Sequence, residues 1–257
     1  MKRLVVAVIL VLSGLVALPH AAGLAHPHSA KADSFKPFWV KVEPGTQILS
    51  CARPDCPQIA KDPVRPTLLR VIPDVGGKFK VSWIRFTPNC SGANCVWYKV
   101  SLGEEQYIPQ NVTQEWLDPL PLEHNPCSVP NCVVVDQAQQ TVHLMHGGID
   151  IFRTWMSSGL PGYGIDFKEY QIDRKFETKR MVSPFVKRGI KGFYDLSGIP
   201  WNMGLPDTLV YLHGVYWHAG FGTPQSHGCV GLTDYDAKFL YDRTNIGTVV
   251  LVGNNFG

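Results

Sequence analysis

The chain has 257 residues, 45% of them apolar and 18% charged, which suits one or two domains with a proper core and excludes a disordered chain. Formal net charge is +3; leaving aside Lys2 and Arg3, which fall in a segment expected to be removed, 22 basic residues face 21 acidic ones. That balance gives no electrostatic footprint for nucleic acid.

Residues 1–30 read as an export signal. Lys2-Arg3 is a short basic start, Leu4 to Leu18 is apolar apart from Ser13 and Gly14, Pro19 breaks the run, and small residues follow at Ala21, Ala22, Ala25 and Ala30. The apolar stretch is short for a spanning helix, which needs about twenty residues. An uncleaved anchor is the alternative, and this segment is the one expected point of membrane contact. No cysteine precedes Cys51, so lipid attachment at the signal junction has no acceptor. The expected location is the periplasm, the cell wall or the exterior.

Seven cysteines agree with export. Six fall into three equal spacings, Cys51–Cys56, Cys90–Cys95 and Cys127–Cys132, each around a turn-like tetrapeptide. Three local disulfides are the simplest reading, each worth roughly 2 kcal/mol by chain entropy. A zinc site from the first two pairs is the competing one. Pairing six leaves Cys229 as a free thiol, which in an oxidising compartment points to catalysis.

Residues 31–118 carry short strand patterns. Phe38–Val42 alternates and stops at Pro44-Gly45. Leu68–Ile72 stops at Pro73-Asp74. Phe79–Ile84, Val96–Val100 and Gln106–Ile108 follow. Five short strands with turns between them predict a small barrel or curled sheet. The run of Pro-Gly-Thr, Gly-Gly-Lys-Phe-Lys-Val, Val-Trp-Tyr-Lys-Val and Tyr-Ile resembles a bacterial SH3-like domain. That likeness implies wall binding or positioning; a plain structural appendage is the alternative.

Residues 119–132 read as a linker, because Pro119, Pro121 and Pro126 continue neither a helix nor a central strand. From 133 to 257 the pattern is mostly strand with minor helix. Val133–Asp136 and Thr141–His146 read as strands, Gly147-Gly148 as a turn, and Ile149–Met156 as the return. His143 and His146 face opposite sides of a strand and do not share a metal. The basic run from Lys168 to Arg188 reads as a solvated face. Thr233-Asp234-Tyr235-Asp236 resembles a capping box before a short helix at Ala237–Tyr241, and Gly247–Val252 is a final strand.

The chemistry concentrates in Tyr211-Leu212-His213-Gly214 and Ser226-His227-Gly228-Cys229. A cysteine nucleophile needs an imidazole base and nearby N–H donors. His213, read as ending an apolar strand at Leu209–Leu212, is the preferred base, with His227 and His218 as alternatives. The Gly214 carbonyl can orient its other nitrogen. Backbone N–H groups of His227, Gly228 and Cys229 can stabilise an oxyanion, one such donor being worth about 3 kcal/mol. Ser226 reads as a loop-locking hydroxyl. Tyr211 and Trp217 line a peptide groove or pack the core. A free thiol with pKa near 8.5 forms thiolate at neutral pH at a cost of roughly 2 kcal/mol.

Several pieces in order resemble the YkuD-type L,D-transpeptidases. They are Val135-Asp136 with Gln140, Ser157-Ser158-Gly159, Tyr170-x-Ile172-x-x-Lys175, Ile199-Pro200-Trp201-Asn202, His213-Gly214-x-x-Trp217, Phe221-Gly222-Thr223-Pro224, Ser226-His227-Gly228-Cys229 and Ile246-Gly247-Thr248. The resemblance implies a mainly β, sandwich-like catalytic domain behind the SH3-like β-barrel domain. It also implies an exported enzyme that cross-links peptidoglycan stem peptides 3→3 through a cysteine acyl-enzyme, with no metal or cofactor, and with carbapenem-type β-lactams as inhibitors. Hydrolysis at the same site, an L,D-carboxypeptidase, is one alternative; a wall-binding protein with a weak or inactive domain is another. Two departures stand out. Gly231 replaces the Asn or Arg usual two residues after the cysteine, which is expected to weaken peptide binding. Ile165–Lys168 replaces a Thr-Pro-x-Gly segment.

Overall fold

Strand-forming residues with turns between them build most of the chain. The computed structural model describes residues 36–56, 77–87, 90, 95–100, 105–184, 186–190 and 192–257; the export signal and the strand read at Leu68–Ile72 lie outside the described residues. Five strands, Phe38–Val42 (β1), Lys78–Phe86 (β2), Val96–Val100 (β3), Tyr107–Pro109 (β4) and Thr113–Trp116 (β5), form an antiparallel sheet in the order β4-β3-β2-β1-β5. Among the described residues this sheet is open, where a closed barrel was expected, because the edge strands β4 and β5 do not pair with each other. β5 escaped the pattern search: Thr-Gln-Glu-Trp is half-exposed and held through its register with β1, Trp39 opposite Trp116.

The remaining strands are Cys132–Asp136 (β6), Thr141–His146 (β7), Ile149–Trp155 (β8), Glu169–Gln171 (β9), Arg174–Val182 (β10), Asp195–Gly204 (β11), Tyr211–Val215 (β12), Val230–Thr233 (β13) and Val249–Gly253 (β14). They make a five-stranded sheet β8-β7-β6-β14-β9 and a four-stranded sheet β10-β11-β12-β13. One core joins them. Val133, Val135, Val142 and Val250 of the first sheet pack with Met203, Leu212, Val230 and Leu232 of the second. β6 and β14 are apolar nearly throughout, as strands covered on both faces must be.

Helix α1 (Asp234–Arg243) bridges β13 to β14 and adds Ala237 and Leu240 to that core. Thr233 caps it, its hydroxyl accepting from the Asp236 N–H at 3.1 Å. Asp236 does not complete the reciprocal box. Its carboxylate accepts from the Thr233 and Thr154 hydroxyls at 2.8 and 2.7 Å and lies 3.6 Å from the Lys80 ammonium of β2. Lys80 and Asp236 are both buried, so a charge pair inside the protein ties the N-terminal sheet to the helix cap.

A second tie is apolar. Trp39, Val40, Phe79 and Val81 share a cluster with Val215, Ala219 and Phe221, the last three lying in or just after β12. The Lys78 N–H donates to the Ala219 carbonyl at 3.0 Å, and the Trp39 and Phe221 rings meet edge-on at 5.6 Å. The proline-rich stretch before β6 is fastened too. Leu122 N–H donates to Asp150, Arg153 Nε to the Pro119 carbonyl, and Trp155 Nε1 to the Leu117 carbonyl. All three expected disulfides are present, Cys51–Cys56, Cys90–Cys95 and Cys127–Cys132, and Cys229 is free.

Candidate active site

Strand alternation places the reactive groups. β12 and β13 run parallel, with Leu212 opposite Val230 and His213 opposite Gly231. Leu212 and Val230 point into the core. Tyr211 and His213 therefore occupy the other face, and one step before β13 Cys229 comes up beside Tyr211 on that same face. His213 sits inside β12 and not at the end of a shorter Leu209–Leu212 strand, and it is paired there with Gly231 of β13.

The His213 ring is fixed by two contacts, and the Gly214 backbone that anchors it is tightly packed. Its Nδ1 donates to the Gly214 carbonyl at 2.8 Å, which leaves Nε2 as an acceptor. Trp217 stacks on it, ring centroids 5.7 Å apart and planes 29° apart. Gly214 has no room for a side chain: a Cβ there would stand 2.7 Å from Pro200 Cγ. Burial lowers the His213 pKa to about 4, against a smaller rise from the Gly214 hydrogen bond, so the imidazole is neutral at pH 7.

Cys229 is partly exposed, and its Sγ lies 3.8 Å from the Leu209 carbonyl. Burial among protein groups raises the thiol pKa to about 11, offset in part by the Tyr211 backbone. The resting pair is thus neutral thiol and neutral imidazole. Ionising the thiol alone costs more than the sequence suggests.

The loop before the thiol is locked by Ser226. Its hydroxyl donates to the Cys229 carbonyl at 2.6 Å and accepts from the Gly228 N–H at 3.0 Å. That engages Gly228, one of three expected oxyanion donors; no hydrogen bond among the described residues occupies the N–H of His227 or Cys229. Gly228 has φ +123°, a conformation that needs glycine. Behind the loop, Ser158 accepts from the Gln225 and Ser226 N–H groups at 2.9 Å, and Gln140 pins Ser158 through its backbone N–H and its hydroxyl.

The other expected residues go elsewhere. Gly231 does not face a groove. It is buried and bridged to Ser157, and a Cβ would meet Ser157 Oγ at 2.5 Å and Val215 Cγ2 at 2.8 Å. Close packing leaves no room for a side chain at this position. Tyr211 is buried with its hydroxyl accepting from Arg174 Nε at 2.9 Å. His218 is buried, its Nδ1 accepting from the Gly220 N–H at 3.2 Å and its Nε2 3.4 Å from Ser157 Oγ; burial and then His213 lower its pKa to about 3. The His227 ring is exposed and set between the rings of Tyr163, at 4.8 Å, and Tyr194, at 5.3 Å. Sequence reasoning missed both tyrosines. Tyr194 is close enough to the thiol that Cys229 adds to burial in raising its pKa. No periodic pattern marks it, since it sits in a loop just before β11.

A free thiol and a neutral, carbonyl-anchored imidazole on one face of a β-sandwich sheet can carry out acyl transfer through a thioester. Residues 130–252 match the family model of the L,D-transpeptidase catalytic domain, YkuD, and this part of the chain belongs to that family. Solved structures similar to the chain include a mutant L,D-transpeptidase of Enterococcus faecium, at 22% identity over 49% of this chain and 50% of that one, TM-score 0.44. An L,D-transpeptidase from Mycobacterium smegmatis matches at 18% over 67% and 78%, TM-score 0.46. L,D-transpeptidase 3 from Mycobacterium tuberculosis, in complex with a faropenem-derived adduct, matches at 20% over 68% and 82%, TM-score 0.46. The chain thus spans half the length of the Enterococcus faecium structure. No curated protein sequence matches it.

Proposed function

We propose that this chain is an exported peptidoglycan L,D-transpeptidase with Cys229 as nucleophile and His213 as base. The observation that supports this most is the His213 Nδ1 bond to the Gly214 carbonyl, which leaves Nε2 unprotonated on the sheet face that also carries the free thiol. Nε2 takes the Sγ proton as sulfur attacks the carbonyl of the third stem residue, a diamino acid. The N–H groups of His227 and Cys229 are the available oxyanion donors. As the C–N bond breaks, the terminal D-alanine amine leaves with the proton from Nε2, and the acyl group stays on sulfur. A side-chain amine of a second stem then attacks the thioester, returns its proton by way of Nε2, and regenerates the thiol with a 3→3 link. Strained β-lactams, carbapenems among them, offer the thiol the same kind of carbonyl and acylate it.

Residues 31–118 act as a positioning domain for the catalytic one, an assignment supported by the Trp39–Phe221 and Lys80–Asp236 contacts. Among the described residues no helix is long and apolar enough to cross a membrane. Incubation with disaccharide-tetrapeptides followed by mass spectrometry tests the reading. Dimers lacking one D-alanine are expected; tripeptide alone would assign a carboxypeptidase, and no product would assign a wall-binding role.

A further inference from the structure

The sheet face next to the thiol extends beyond β12. On β11, Gly204 stands between Arg174 of β10 and Tyr211 of β12. It has no side chain, and a Cβ would lie 2.9 Å from Tyr211 Cε1 and 2.6 Å from Arg174 Cγ. The Tyr211 ring therefore lies back across β11 towards β10, away from Cys229. At the far side two cations stand over that ring, Arg174 at 4.9 Å and Lys179 at 5.2 Å. They differ in their partners. The Arg174 guanidinium is filled: Nε donates to the Tyr211 hydroxyl, Nη1 to both Asp173 oxygens and Nη2 to the Thr208 carbonyl. The Lys179 ammonium rests on the faces of Tyr211 and Phe176 and has no hydrogen bond or ion pair among the described residues.

We propose that Lys179 binds a carboxylate of the donor stem peptide, and so serves as a specificity residue that the packing of Gly231 rules out at the position two residues after the cysteine. This rests on the transpeptidase reading. Neighbouring strands lie about 4.8 Å apart. The route from Cys229 over β12 and β11 to the head of Lys179 is therefore about 10 Å, close to three extended residues, since each spans about 3.4 Å. Stem peptides present free carboxylates within that reach on the residue before the diamino acid and on the far end of the diamino acid itself. Phe176, half-exposed beside the ammonium, shields the contact from water on one side and strengthens it. A lysine here acts as a point charge and needs no fixed bidentate geometry, which suits a flexible peptide.

The experiment uses the full chain and four synthetic tetrapeptide donors: both carboxylates free, each amidated singly, and both amidated. Lys179→Gln should raise KM for the free donor about tenfold, with most of the loss in KM and little in kcat. Amidating the recognised carboxylate should cost the wild type the same factor and Lys179→Gln almost nothing, and the singly amidated donors say which carboxylate it is. Lys179→Arg should restore most of the affinity. Alkylation of Cys229 by uncharged iodoacetamide checks that each variant keeps an intact site. Equal KM for all four donors in the wild type would overturn the assignment to Lys179 while leaving the transpeptidase reading in place. A wild type that acts on none of them overturns that reading, and this proposal with it.

Discussion

His213 Nδ1 and the carbonyl of Gly214, its neighbour in the chain, lie 2.8 Å apart, so the base is oriented by a backbone group one residue away rather than by a distant carboxylate. The link is short and rigid, and burial keeps the imidazole neutral. His213→Gln should therefore abolish most turnover, by about 10²-fold or more, while the Tm changes little. Steady-state cross-linking alongside thermal unfolding checks this. A variant that keeps full activity would remove His213 from the mechanism.

Gly231 sets a second expectation. Reasoned from sequence, an asparagine there adds a donor for peptide and improves binding. The packing reverses that sign. Gly231→Asn must displace Ser157 or Val215, which overpacks the core at a cost of about 1–3 kcal/mol. Lower Tm and lower kcat/KM are expected together. A tighter-binding, equally stable variant would restore the earlier argument.

Acid should unfold the site from within. The His213 and His218 pKa values are depressed to about 4 and about 3 in the folded protein, against 6.5 when free. The unfolded chain then binds more protons than the folded one between these limits. Stability is full above pH 6.5 and is lost as the pH falls towards 4, by about 3 kcal/mol for His213 alone. Denaturant titrations at pH 7.5 and pH 4.5 should show the drop, and the His213→Gln/His218→Gln double variant should show a flatter curve.

The N-terminal sheet should be energetically inseparable from α1. Lys80→Met leaves Asp236 buried without its cation and should cost about 3–5 kcal/mol. Lys80→Met/Asp236→Leu should recover part of that loss. Calorimetry on the two variants decides the matter; additive losses would mean that the two charges do not interact.

Thiol titration is the simplest check. Under denaturing, non-reducing conditions one thiol should react, Cys229, and Cys229→Ala should leave none.

The strands with alternating or continuous apolar residues, β1, β3, β6, β7 and β14, were legible because burial imposes a period on them. β10 was not. Its Lys and Arg residues stand on an exposed edge held by cross-strand ladders, so its sequence reads as a solvated surface. β11 was missed because Gly198, Pro200 and a Trp201 at φ +56° interrupt any pattern. At the site, motif spacing singled out His213, Gly214, Ser226 and Cys229, and the family resemblance singled out Gln140. Tyr163 and Tyr194 reach the Cys229 loop from separate loops, and no spacing encodes that.

The three disulfides each close a loop between cysteines five positions apart. A chain emerging from its N-terminus completes every one of these pairs before Cys229 appears. When Cys229 arrives, no unpaired cysteine is left behind it, so direct oxidation finds no second free thiol to join it to. Keeping the loops small and early does little for the core. It leaves Cys229 as the one sulfur without a partner when the chain is complete.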